Sequence, residues 1–244
     1  MNYGKIVGVG NTAIVYEFKK DKVLKLFNDG YQKEAVEREF HNAMVIRNMD
    51  FQKPKAYELF SYEERMGIVY DRVDGESLFH WFMRTGDIRG CAVYMAKLHK
   101  EIIKNRVDDL DGYKQFLKYH TANAASTSLA ERKHAMATIE KLPEGNSLCH
   151  GDFHPGNIIL SEGNAIVIDF MNLCKGDYMY DIARSVFLIE YTPVPPVEGK
   201  RDELLRAKKV MADLYLAEMN VKREMIKDYI EVMKIVRKSE CPNE

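Results

Sequence analysis

Short apolar runs separated by turn residues fill the first seventy positions. Residues 5–7, 14–18 and 23–27 are rich in β-branched and aromatic side chains. A glycine loop precedes the second run and Lys19-Lys20-Asp21 the third, a pattern that predicts an antiparallel meander. From about residue 33 to 47 the period changes, with Val36, Phe40, Ala43 and Arg47 recurring at helical spacing. Pro54 stops any helix beyond Asp50. Residues 56–60 and 67–70 flank the polar turn Tyr62-Glu63-Glu64-Arg65 and read as a hairpin. The sum is a five-stranded sheet with one helix.

Residues 71–76 form a polar crossing that contains Gly75, and helical spacing takes over beyond it. Ile88, Cys91, Ala92, Met95, Leu98, Ile102 and Ile103 trace one stripe of an amphipathic helix. Residues 121–128 are small and polar, a surface connection or a frayed helix start. Helical spacing resumes over 129–142. Residues 148–160 and 165–170 are again short apolar runs, set around a dense polar cluster, with Glu162-Gly163-Asn164 as the turn between them. The segments 180–190 and 202–237 are helical, separated by Thr192-Pro193-Val194-Pro195-Pro196. The fold class is therefore α+β: a sheet-bearing part, residues 1–73, then a larger, mainly helical part, residues 74–244.

Composition narrows the class further. The 244 residues carry 36 Lys and Arg against 37 Asp and Glu, so no whole-chain field draws the protein toward nucleic acid or anionic lipid. No run approaches the ~18 apolar residues of a spanning helix, and residues 1–10 lack a basic segment leading into an apolar one. The expectation is a cytoplasmic monomer with no nucleic-acid or membrane partner. Cys91, Cys149, Cys174 and Cys241 form no Cys-x-x-Cys pair, which argues against a zinc clip or a disulfide framework.

Candidate chemistry concentrates in His150-Gly151-Asp152-Phe153-His154-Pro155-Gly156-Asn157 and in Ile166-Val167-Ile168-Asp169-Phe170. Apolar strands bracketing a turn put Asn157 and Asp169 at the rim of a hairpin and Asp152 in the loop before it. Hard oxygen donors of this kind suit Mg²⁺, and phosphoryl transfer needs such a metal together with a carboxylate that positions the accepting hydroxyl. In the first part, Gly8-Val9-Gly10-Asn11-Thr12-Ala13 lies between two strands, where glycines let backbone N–H groups approach phosphate oxygens. Lys25 shares a strand face with Val23 and Phe27 and so needs a counter-charge. With Val36 as zero and 100° per residue, Glu39 lies at about −60°, beside the apolar stripe, whereas Glu37 lies near about +100° and Glu34 near about +160°. Glu39 is the acid best placed to face the sheet.

These motifs, from the glycine loop through His-Gly-Asp-x-His-x-x-Asn and Ile-Asp-Phe to Gly176-Asp177-Tyr178-Met179-Tyr180-Asp181-Ile182-Ala183-Arg184, resemble the aminoglycoside phosphotransferase and choline kinase group of protein-kinase-like enzymes. The resemblance implies a two-lobed kinase-like fold, with residues 1–73 a nucleotide-binding lobe and 74–244 a catalytic and acceptor-binding lobe. It implies Asp152 as catalytic base, and Asn157 and Asp169 as Mg²⁺ ligands. Lys25, paired with Glu39, would contact the phosphates of ATP or GTP. Gly8, Gly10, Asn11 and Thr12 would line the phosphates, and backbone groups of Arg72 and Val73 would meet the purine. Asp181 would brace the catalytic loop. The expected partner is a small molecule offering a hydroxyl. Three departures stand out: Ala13 replaces a third glycine, Met171 follows Phe170, and no Ala-Pro-Glu appears downstream. The last favours a small acceptor over a peptide. A protein kinase, a nucleotide-binding module without turnover, and a metallohydrolase built on His150 and His154 are the alternatives.

Overall fold

Alternating apolar positions in the first part form strands because one face of each can be buried. In the computed structural model, which describes residues 4–62, 64–194 and 201–242, β1 (Ile6–Val9), β2 (Ala13–Lys19), β3 (Lys22–Phe27), β4 (Ala56–Tyr62) and β5 (Arg65–Asp71) make one sheet in the order β1-β2-β3-β5-β4. Every neighbouring pair is antiparallel. Leu24 and Leu26 of β3 and Val69 of β5 are fully buried on one face, with Tyr16, Phe18 and Phe60 packed around them. Val23, Lys25 and Phe27 alternate onto the other. The helix α1 (Lys33–Val45) packs on β4 and β5 and buries Val36, Glu39, Asn42 and Ala43. It ends two residues before the expected Arg47, because Arg47 closes a tighter turn onto the Met44 carbonyl and sends its guanidinium to the carbonyl of Ala56.

After β6 (Glu76–Ser77) the chain is mainly helical: α2 (Leu78–Thr85), α3 (Ile88–Ile103), α4 (Tyr113–Asn123), α5 (Leu129–Lys141), α6 (Tyr178–Glu190), α7 (Arg201–Met219) and α8 (Lys227–Glu240). Between α5 and α6 lie four short strands, β7 (Ser147–Cys149), β8 (Ile158–Ser161), β9 (Asn164–Val167) and β10 (Cys174–Gly176). The starts of α2, α3, α5 and α6 are fixed by Ser77, Asp87, Ser128 and Asp177, each accepting a backbone N–H of the first turn. Of the stripe read on α3, Cys91, Ala92, Met95, Leu98 and Ile102 are buried, and Ile88 and Ile103 at its ends are half-buried.

The chain divides into two compact units. One takes the residues up to Glu76 together with Ile159–Asn172, and the other takes Ser77–Ile158 and Leu173 onward. In the first, a Cβ on Gly75 would meet the Leu160 carbonyl oxygen at 2.1 Å, so only glycine permits that close backbone approach. In the second, α3 and α6 pack against α7, and α4, α5 and α6 against α8.

Several local expectations change. The helix α4 lies where the sequence pattern predicts no element, and its last residues occupy the start of the expected 121–128 connection. The charged stretch over 202–237 reads as the solvent face of two helices, and two are found, parted where Asn220 takes φ +56° and Arg223–Ile226 makes a 3-10 turn. Gly8 and Val9 belong to β1, paired with Val15 and Ile14, so the glycine turn shrinks to residues 10–12. Glu63 of the expected turn and Pro195 and Pro196 of the expected break lie outside the described residues, as do residues 1–3 of the amino-terminal segment. Among the described residues, no helix is long and apolar enough to cross a membrane.

Candidate active site

In the first unit, β3 carries Lys25 opposite Val15 and Ile68, and α1 turns Glu39 onto the same sheet face. The Lys25 ammonium lies 2.8 and 2.9 Å from the two oxygens of Glu39 and 3.0 Å from Asp169 Oδ1. Glu39 is buried, and the Tyr70 hydroxyl donates to its Oε1 at 2.9 Å. Burial works to lower the Lys25 pKa, but the charges of Glu39 and Asp169 outweigh it and hold the ammonium above the ordinary lysine value. Lys25 is therefore charged at any physiological pH.

Asp169 sits at φ +68°. A non-glycine residue in that region carries strain that its surroundings must hold in place. Part of that hold comes from α1, where the Asn42 amide donates to the carbonyls of Phe170 at 2.8 Å and Met171 at 3.2 Å.

The glycine turn is closed by Gly10 N–H donating to the Ala13 carbonyl at 2.9 Å, and Asn28 donates from backbone and side chain to the Thr12 and Asn11 carbonyls. A side chain on Gly8 or Gly10 would make only ordinary contacts, so nothing inside the fold demands glycine there. At residues 72–73 the Arg72 N–H is spent on the Asp21 carbonyl, and its side chain pairs with Glu17 and Asp74, each at 2.7 Å. Of the backbone donors expected there, that of Val73 is left.

In the second unit, the chain leaves β7 and enters the 150–157 loop through Gly151, at φ +74°. Asp181 of α6 is fully buried and accepts from His150 N–H at 2.6 Å, Gly151 N–H at 2.8 Å and His99 Nε2 at 2.9 Å. Burial would raise its pKa, but His99, His150 and the Gly151 amide outweigh that and hold the carboxyl below its usual range. Asp181 thus braces the loop. His150 Nδ1 accepts from Asp152 N–H at 3.3 Å, and Phe153 is buried against the His99 ring at 4.4 Å between centroids.

Asp152 remains about a quarter exposed, at 27%. Asn157 ends the 3-10 turn Pro155–Asn157 and donates from Nδ2 to the Asp152 carbonyl at 2.9 Å and to its Oδ2 at 3.0 Å. Its amide oxygen is thereby left as an acceptor. His154 Nδ1 accepts from Gly156 N–H at 3.1 Å.

The donor set decides which metal these residues suit. Among the described residues, no three of His, Cys, Asp and Glu gather into a metal-holding group, and His150 and His154 use ring nitrogens to shape their own loop. A carboxylate and an amide oxygen, with no protein cage, are what Mg²⁺ accepts when phosphates and water complete its shell.

Sequence reasoning passed over Tyr70, Asn42 and Arg184. Two of these left a trace: Tyr70 pairs with Val23 on the Lys25 face, and Asn42 lies three residues after Glu39, on the same side of α1. Arg184, fully buried, donates from Nε to the Gly151 carbonyl at 3.1 Å.

The amicoumacin kinase hAmiN, solved with AMP-PNP, Ca²⁺ and Ami, gives a TM-score of 0.63 at 14% identity, covering 97% of this chain and 79% of that one. The aminoglycoside phosphotransferase APH(3'')-Id from Streptomyces rimosus gives 0.60 at 15%, covering 92% and 89%. A choline/ethanolamine kinase family protein from Mesorhizobium loti gives 0.52 at 14%, covering 96% and 87%. At these identities the likeness is one of fold. No curated protein matches the sequence. The family match, by contrast, is made on sequence and runs over residues 5–214, and by it this chain belongs to the phosphotransferase enzyme family.

Proposed function

We propose that this phosphotransferase moves the γ-phosphoryl group of ATP or GTP to a hydroxyl of a small molecule. Nucleotide recognition falls to residues 1–73, and the base and acceptor pocket to residues 74–244. The observation that carries the reading is the Lys25 ammonium shared between Glu39 and Asp169. It is a fixed cation next to a strained, partly exposed carboxylate, the pairing that a metal-bound polyphosphate needs.

In this reading the Lys25 ammonium takes the α- and β-phosphates, with Glu39 and Tyr70 fixing its position. Backbone groups of Gly8, Gly10, Asn11 and Thr12 approach the phosphates, and the Arg72 carbonyl and the Val73 N–H meet the base. Asp169 and the Asn157 amide oxygen would hold Mg²⁺, which would neutralise charge on the transferring phosphate. Asp152 orients the acceptor hydroxyl and receives its proton as the new P–O bond forms and the bond from the γ-phosphorus to the bridging oxygen of the nucleotide breaks, so that ADP or GDP leaves with that oxygen. The relatives of like fold support a nucleotide donor and a divalent metal, since one was solved with AMP-PNP and Ca²⁺.

Incubation with labelled Mg-ATP or Mg-GTP against aminoglycosides, amino alcohols, sugars and a peptide panel tests the proposal. Phosphate appearing on a small hydroxyl compound is the expected result. Label on peptides alone would make the chain a protein kinase. A melting temperature raised by Mg-ATP with no ADP released under any acceptor would leave a binding module.

A further inference from the structure

The two peptide groups around Gly151 are held by two side chains one helical turn apart. Asp181 accepts its N–H, and Arg184 donates to its carbonyl at 3.1 Å. That carbonyl belongs to the Gly151–Asp152 peptide, whose N–H is in turn accepted by His150. The peptide plane that launches the Asp152 side chain is therefore pinned at both edges.

Pinning by Arg184 carries a burden, because a guanidinium with 1% exposure needs a neutralising partner. Phe116 lies under it, with its ring centroid 5.5 Å away. Nη1 has no hydrogen-bond partner among the described residues. The carboxylate that pairs with it comes from far along the chain: Glu240, the last residue of α8, accepts from Arg184 Nη2, and its other oxygen takes Arg237 at 3.2 Å. Burial would depress the Arg184 pKa, and the Glu240 charge outweighs it.

We propose that Glu240 is a positioning residue for phosphoryl transfer. By fixing the Arg184 guanidinium against the Gly151 carbonyl, the last turn of α8 sets the direction in which Asp152 is presented. The proposal rests on Asp152 being the base. It makes the last turn of α8 part of the reaction apparatus without touching the reactants.

Two measurements on the full chain decide it, made on Glu240→Gln and Glu240→Asp, with Glu231→Gln as the control from the exposed Glu231–Lys234 pair of the same helix. Hydrogen exchange of the amides in residues 149–157 is expected to accelerate by roughly tenfold in Glu240→Gln, since local opening depends on such contacts. It should change less in Glu240→Asp, which keeps the charge, and match the parent in the control. Turnover with the acceptor returned by the panel above is expected to fall by roughly ten- to a hundredfold per folded molecule, as misplacement of a reacting group does, with KM for Mg-ATP unchanged.

Unaltered loop exchange in Glu240→Gln would overturn the proposal, and so would faster exchange with undiminished turnover. If Glu240→Gln does not fold, Glu240→Asp decides, and parental exchange and turnover there with Arg184 still paired support the charge requirement, whereas the same result in a folded Glu240→Ala would refute it. Full activity in Asp152→Asn would instead overturn the base assignment, and the exchange result would stand apart from it.

Discussion

Asn157 donates from its amide nitrogen to both the carbonyl and the carboxylate of Asp152, at 2.9 and 3.0 Å. One side chain thus closes the loop on the residue read as the base and keeps its own oxygen as an acceptor. Replacing Asp152 with Asn keeps the size of the side chain and removes its basicity. Turnover should fall by ~10²–10⁴-fold, while nucleotide affinity measured by calorimetry stays near that of the parent. Undiminished turnover would remove Asp152 from the role of base.

Asp169 calls for a different substitution. Its φ of +68° makes alanine costly there, whereas asparagine tolerates the left-handed region. Asp169→Asn should therefore fold with little change in melting temperature and lose Mg-nucleotide affinity by at least ~10–100-fold, the loss that even supporting residues of metal sites produce. Titration of Mn²⁺ followed by its paramagnetic signal, with and without ATP, reads this directly. Equal affinity in parent and variant would place the metal elsewhere.

Lys25 and Glu39 form a buried pair, so removing one charge strands the other. Lys25→Ala should cost about 3–5 kcal/mol in urea unfolding. The double change Lys25→Met with Glu39→Leu should cost less than the single one, because no buried charge is left over. A double variant less stable than Lys25→Ala would refute this account of the pair.

These two residues also show how far the sequence could be read. Strand alternation put Lys25 on a face needing a counter-charge, and helical angle alone selected Glu39 over Glu34 and Glu37. Both inferences use short-range periodicity, which a sequence displays. The helix α4 was invisible because its N-cap is Gly112, with no side-chain acceptor, and only Tyr113, Lys114, Leu117 and Thr121 mark its buried side. The break at Asn220 is legible, because asparagine just after the last periodic residue is a helix-end signal and here takes φ +56°. The Arg184 contacts with Gly151 and Glu240 depend on packing between α6, the loop and α8, and no local pattern encodes that.

Acid should act through Asp181. Its folded pKa is held below the unfolded value, so its contribution to stability is present above the unfolded carboxylate pKa of ~3.9. That contribution is lost as pH falls below this value and through the lower folded one. Urea unfolding between pH 5 and 3 should show a steeper loss in the parent than in Asp181→Asn. Parallel curves would mean that the His99 and backbone partners do not stabilise the ionised form.

Unit one is assembled from two stretches of chain that leave the ribosome far apart in time. The Val167 amide donates to the Gln52 carbonyl at 3.0 Å, Asn42 holds the Phe170 carbonyl, and Asp169 completes the charge partners of Lys25. A nascent chain that has released only the five-stranded sheet and α1 therefore lacks its closing segment. The order of synthesis delays completion of the first unit until the loop carrying Asp152 has also emerged.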